Sequence, residues 1–223
     1  MAGGADAVVA VLFHREIAGA NSVDLWKRAG AAAVHATDVR CWQEAREDLD
    51  RATLLWFAGG SQTELMNAIG DTGLAAYVNR RFHDGVVVGG GSAGAAVFAE
   101  LMTTGDADVG SLTVDRTKTA AGLGIWPAVV LDQHFLKRQR MNRFLSLVLD
   151  HPDRIGVAID EGTALLVEGR RATVLGSSNV VIVDAQRADV PQPVSGQPSA
   201  GRNIAVHVLR HGDTFDFGDR APP

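Results

Sequence analysis

Short apolar runs separated by amphipathic stretches set the rhythm of the first 99 residues. Val8 to Phe13, Ala32 to Ala36, Thr53 to Ala58 and Gly85 to Val88 each read as a buried strand. Between them, Asn21-Ser22 reads as the cap of a helix through Leu25, Trp26 and Ala29 that Gly30 ends. Trp42, Ala45 and Leu49 recur at helical spacing. Ser61-Gln62-Thr63-Glu64 forms a capping box that puts Gln62 in the first turn of the next helix. Asp71 opens another helix, with Leu74, Tyr77, Val78 and Phe82 on one face, and Ala93 to Ala99 is a helix of small residues.

The second half changes character. Thr103 to Ala121 is polar and irregular, and Gly124-Ile125-Trp126-Pro127 then leads into a strand over Ala128 to Leu131, closed by Asp132-Gln133-His134-Phe135. A helix is expected from Leu136 to Leu149, with Met141, Phe144, Leu145 and Val148 on its apolar face. On that wheel Arg138 borders the buried face, Arg140 lies further round, and Arg143 points furthest outward. Ile155 to Ile159, Thr163 to Val167, Ala172 to Leu175, Val180 to Val183 and Ile204 to Leu209 read as strands, and Gln186 to Gly201 as a mobile loop. The alternation predicts one α/β domain over residues 1–223: a doubly wound, mostly parallel sheet with antiparallel C-terminal strands.

Composition narrows the functions open to such a fold. The chain has 223 residues, 46% of them hydrophobic, enough for one sizeable core. With 21 basic against 26 acidic residues, its charge of −5 argues against a nucleic-acid or anionic-membrane partner. Cys41 is the only cysteine, so the sequence has no intrachain disulfide, CxxC motif or cysteine zinc cluster, and no metal or cofactor is expected. A reducing compartment suits that composition. The first apolar run is too short for a signal sequence and meets His14-Arg15-Glu16 at once, so the expected location is the cytoplasm.

Gly90-Gly91-Ser92-Ala93-Gly94 fits G-x-S-x-G, the nucleophile elbow, in which glycines let strand and helix backbones approach closely. Ser92 would project from a strand end toward helix amides suited to a growing negative charge. The same turn also suits a phosphate-binding loop in which Ser92 only donates a hydrogen bond, and the motif alone divides evenly between the two. A nucleophilic serine needs a base. Of seven histidines, His134 directly follows a buried strand and shares the carboxyl edge of the predicted sheet with Ser92. A lone histidine there is more often structural, but three polar side chains in a row at a strand end are costly unless something is bound or transformed. The α/β-hydrolase order is excluded, because only 134 − 92 = 42 residues separate serine from histidine.

Five segments occur in the order of one known family: Phe57-Ala58-Gly59-Gly60-Ser61-Gln62, Gly91-Ser92-Ala93-Gly94-Ala95, Gly122-Leu123-Gly124, Asp132-Gln133-His134-Phe135 and Gly156-Val157-Ala158-Ile159-Asp160-Glu161. Over roughly residues 5 to 185 the chain resembles the cyanophycinase and peptidase E family of serine peptidases. The resemblance implies a class I glutamine amidotransferase-like fold, a homodimer, Ser92 as nucleophile and His134 as base. It implies an oxyanion hole from the amides of Ala93 and of Gly60 or its neighbour. Gln62, Asp132, Gln133, Arg138, Arg140 and Arg143 match positions for substrate binding or site architecture, and the acid after a Gly-Asp pair becomes Asp108, with Asp106 in reserve. The implied activity is hydrolysis of aspartyl peptide bonds, with cyanophycin, a polyaspartate with arginine on each side chain, as the implied substrate. An aspartyl dipeptidase or a non-hydrolytic ligand-binding domain are the alternatives. Arginines would meet the substrate's carboxylates, and Asp132 and Glu161 its guanidinium groups, unless Glu161 caps a turn. Two residues depart from the family, Ser61 standing where Asp is usual and Gly91 where Thr is usual, and the chain opens close to the family's second strand, from which a short or exposed sheet edge is expected.

Overall fold

The computed structural model describes residues 4–105 and 110–222. The chain divides into two compact units, Met1–Phe98 with Ala121–Ile125, and Ala99–Ala120 with Trp126–Pro223.

The first unit is built on four parallel strands in the order β2-β1-β3-β4: β1 Val8–Phe13, β2 Ala33–Asp38, β3 Leu54–Phe57 and β4 Val87–Gly90. Continuous apolar runs suit β1 and β3 to the interior of a sheet covered by helices. Val9, Val11, Leu54 and Ala58 form a core cluster that Trp26 and Trp56 close edge to face, with ring centroids 5.2 Å apart. Register aligns the strand ends, since Leu12 pairs with Phe57 and Phe57 with Gly90. His14, Gly59 and Gly91 therefore leave the sheet along one edge, the edge at which parallel α/β sheets place their sites.

Two helix starts in this unit differ from the sequence expectation. Helix α1 spans Glu16–Arg28, so Asn21 and Ser22 lie inside it and do not cap it. The Ser22 hydroxyl donates to the Ala18 carbonyl at 2.9 Å, the backward bond that makes serine tolerable within a helix. After α2 (Arg46–Arg51) and α3 (Gln62–Ile69), helix α4 covers Leu74–His83 and begins only after Gly73, whose left-handed φ of 83° halts any earlier helix. Leu74, Tyr77 and Val78 face the core as expected, whereas Phe82 is exposed.

In the second unit, a sheet of order β12-β11-β8-β7 joins β7 (Val129–Gln133) to β8 (Ile155–Ile159) in parallel, then continues antiparallel through β11 (Val180–Asp184) and β12 (Ala205–Leu209). The strands β9 (Thr163–Glu168), β10 (Arg171–Gly176) and β13 (Thr214–Asp216) form an antiparallel sheet, and β5 (Leu101–Thr103) pairs with β6 (Thr119–Ala121). The parallel sheet and the antiparallel C-terminal strands are those the sequence led us to expect, but β5, β6 and β13 are not among the strands it predicts, and β6 falls in the stretch expected to be irregular. Residues 186–201 carry no helix or strand, but bridges between Thr113 and Pro198 and between Asp189 and Arg202 tie the region down.

Helix α6 is shorter than expected, Met141–Asp150. Left-handed backbone at His134 (φ 51°) and Gln139 (φ 53°) holds the preceding stretch in turns, so the helix starts later and its wheel is set by different residues. Phe144, Leu147 and Val148 pack on Val130, Ala158, Val181 and Val183. A side chain on Gly156 of β8 would meet Val148 Cγ2 at 2.5 Å and Phe144 Cζ at 2.7 Å, so glycine there lets α6 lie close on the sheet. Among the described residues no helix is long and apolar enough to cross a membrane.

Candidate active site

In the first unit the chain turns sharply from β4 into helix α5 (Ala93–Ala96), and Ser92 makes the turn with φ 55° and ψ −118°. That conformation costs a non-glycine residue on the order of 1–3 kcal/mol and persists only where the surroundings impose it. Here the backbones impose it: a Cβ on Gly90 would collide with the Gly94 carbonyl, and one on Gly94 with the Phe57 carbonyl. The Gly91 amide donates to Phe57 O at 3.1 Å, anchoring the turn on β3. A Cβ built on Gly59 would lie 3.5 Å from Ser92 Cβ and 4.0 Å from its Oγ, so the serine stands against the Gly59-Gly60 turn. Ala93 opens α5, and the next amides are already used, Gly94 N donating to Gly91 O at 2.9 Å and Ala95 N to Ser92 O at 3.0 Å.

Gln62 is the first residue of α3 and is buried. The expected cap is present, with Ser61 Oγ accepting from the Glu64 amide at 3.3 Å. Glu64 does not complete the capping box. Its carboxylate instead accepts from Arg15 Nε at 3.0 Å and Nη2 at 2.6 Å.

In the second unit, His134 immediately follows β7, and its Nδ1 lies 3.0 Å from Glu161 Oε1. The parallel register explains the meeting: Gln133 pairs with Ile159, so His134 and the Asp160-Glu161 turn leave adjacent strands side by side. Asp160 fixes the far side of the histidine turn by accepting from the Leu136 and Lys137 amides, both at 3.1 Å, and from Ser178 Oγ at 2.8 Å. Burial pushes the Asp160 carboxyl up, but these donors outweigh it and hold its pKa below the ordinary value of 3.8. The stability it contributes is present above that value and is lost as pH falls through the depressed folded-state pKa.

Glu161 is the carboxylate that meets His134, a contact the sequence did not lead us to expect. Asp108 and Asp106, the acids expected there, lie outside the described residues. The overlooked signal was strand register, since two residues past the last paired position of β8 reach the side chain one residue past that of β7.

The arginines also differ from expectation. Arg143 does not point outward: its side chain is 2% exposed and makes a two-pronged pair with Asp132, itself 1% exposed, with Nε 2.7 Å from Oδ2 and Nη2 on Oδ1. The later start of α6 rotates Arg143 onto the buried face beside Phe144. Arg140 is half-buried and donates to the Gln133 carbonyl and, at 3.2 Å, to Gln133 Oε1, while Asp132 Oδ1 accepts from the Gln133 amide at 2.8 Å. Arg138 is exposed in the turn before α6 and does not border the buried face.

Leaving Asp132 buried without its partner would be costly. Arg143→Met is expected to destabilise the fold by about 3–5 kcal/mol in urea unfolding, and adding Asp132→Leu to recover most of the loss by removing the orphaned charge. An Arg143→Met variant as stable as the wild type would show that the pair does not hold the end of β7.

A serine on a strained strand-to-helix turn and, in the second unit, a histidine against a carboxylate are side-chain types that serine hydrolases use. Residues 29–175 match the sequence profile of peptidase family S51, and the chain belongs to that family. A cyanophycinase of Geminocystis herdmanii is 35% identical over 235 residues, covering 99% of this chain and 86% of that protein. A cyanophycinase of Trichormus variabilis is 32% identical over 214 residues, covering 92% and 72%. The crystal structure of a peptidase from an acI-B1 Actinobacterium superposes with a TM-score of 0.62 at 22% identity, covering 94% of this chain and 83% of that one, a likeness of fold.

Proposed function

We propose that the chain is a serine peptidase that hydrolyses aspartyl-backbone peptide bonds, with cyanophycin as substrate and β-Asp-Arg dipeptides as product. The observation that carries the reading is the Glu161–His134 contact at 3.0 Å in a chain matched almost end to end by cyanophycinases. The Ser92 turn acts as the nucleophile elbow. With Nδ1–H directed at Glu161, His134 keeps its basic lone pair on Nε2. That nitrogen takes the proton as Ser92 Oγ attacks the scissile carbonyl, then delivers it to the leaving amine as the C–N bond breaks and an acyl-serine forms. Water, deprotonated by the same nitrogen, releases the acyl group and restores the serine. The amides of Ala93 and of Gly60 or its neighbour stabilise the oxyanion. Because Arg140 and Arg143 are engaged by Gln133 and Asp132, Arg138 is the arginine of the three best placed to meet a substrate carboxylate. The homodimer and the cytoplasmic location implied above belong to the same proposal, and sedimentation velocity tests the first.

Incubation with cyanophycin and, separately, with Asp-X dipeptides, followed by mass spectrometry, tests the activity. Release of β-Asp-Arg from the polymer is the expected result. Cleavage of dipeptides alone assigns the chain to the peptidase E type of reaction, and no cleavage of either overturns the hydrolytic reading.

A further inference from the structure

His14 is a buried imidazole that the proposed reaction does not use. It directly follows β1, and the register of β1 on β3 sets it level with Gly59. Its ring abuts the next residue, since a Cβ on Gly60 would fall 2.7 Å from His14 Cε1 and 3.0 Å from Nε2. The side chain is 4% exposed, and among the described residues neither ring nitrogen has a hydrogen-bond partner. Leaving a polar group dry in this way costs about 1–3 kcal/mol, and a phenylalanine of similar shape would avoid the penalty. The nearest carboxylate, Glu64 Oε2, is 3.7 Å from Nε2 and is already clasped by Arg15.

Resting on the serine peptidase reading, we propose that His14 is a positioning residue: neutral, it props the Gly59-Gly60 turn so that its amide meets the oxyanion, and protonated, it releases the turn. Every charged group facing the ring bears on that step. Burial disfavours the imidazolium most, followed by Arg15. Glu64 on α3 and Asp38 at the end of β2 favour it, and Arg40 after β2 opposes it, so the ring is held below its ordinary pKa of 6.5. On protonation Glu64 is the counter-charge within reach. Moving toward it takes the ring off Gly60, and the turn loses its support.

The test compares His14→Phe, which keeps a flat ring but cannot titrate, with His14→Ala, which removes the prop. kcat and KM on cyanophycin are measured from pH 4.5 to 8.5, with melting temperature at each pH. Removing an oxyanion donor outright costs about 10²–10³ in kcat, so a misplaced one in His14→Ala should cost about tenfold to hundredfold at pH 8, with KM little changed. His14→Phe should keep most of kcat at pH 8, and its acid limb should lose one unit of limiting slope relative to wild type, because one protonation is gone. Variants that melt earlier yet keep wild-type kcat, KM and slope would make His14 a packing residue and overturn the proposal, and His14→Phe decides the matter if His14→Ala does not fold. A wild-type chain that hydrolyses nothing would refute the functional reading itself, whereas an active wild type with unaltered variants refutes only the role of His14.

Discussion

Replacing Ser92 by alanine is expected to lower kcat on cyanophycin by on the order of 10⁶, the scale seen when the nucleophile of a serine triad is removed. The fold should survive. Alanine is a serine without its oxygen and meets the same strain at φ 55°, while the contacts that impose the turn come from Gly90, Gly94 and Phe57. Melting temperature should therefore stay close to wild type as activity vanishes. A fluorophosphonate, which phosphonylates active serines with loss of fluoride, should label the wild-type chain at Ser92 and leave the variant unlabelled. The two roles the motif allows then separate cleanly: a phosphate-binding loop predicts weakened anion binding, partial loss of any activity and no covalent label. Turnover retained in the variant would remove Ser92 from the mechanism.

Local patterns made most of the fold legible. β1 and β8 begin and end where their apolar runs do, since a buried parallel strand must be apolar throughout. The serine turn was equally readable, because close backbone approach leaves glycine as its own trace in sequence. What escaped depends on partners distant in the chain. The left-handed backbone at His134 and Gln139 is imposed by the bonds to Asp160 and by the strand end, and nothing in Leu136 to Arg140 forbids helix. Misplacing that helix start turned the wheel and sent Arg143 outward, when it is the buried partner of Asp132. Glu161 escaped for a related reason. Its contact with His134 spans 27 residues and exists only through the pairing of β7 with β8, which no local periodicity encodes. The same segment was already prominent as Gly156 to Glu161, so its chemistry was visible before its geometry was.

Glu161→Gln is expected to lower kcat by on the order of 10³–10⁴, with KM changed much less. Neutralising the comparable acid of a well-studied serine triad costs about 10⁴, because the imidazolium formed in the transition state loses its counter-charge and the neutral ring loses its preferred tautomer. The lower end of the range reflects exposure: Glu161 is 45% exposed, and water takes over part of the lost stabilisation, as it does for other solvated pairs. Glutamine keeps the length and branching of the side chain, so melting temperature should move little. Glu161→Asp, whose carboxylate is drawn back from Nδ1, should fall between wild type and Glu161→Gln. The control is Asp108→Asn, the acid the sequence resemblance implied. If Glu161 orients His134, Asp108→Asn should stay within a few-fold of wild type, and the loss in Glu161→Gln should appear in kcat and kcat/KM alike, as for an interaction made in the transition state. A large loss in Asp108→Asn with little in Glu161→Gln would return the third role to Asp108 and leave the 3.0 Å contact as a surface ion pair.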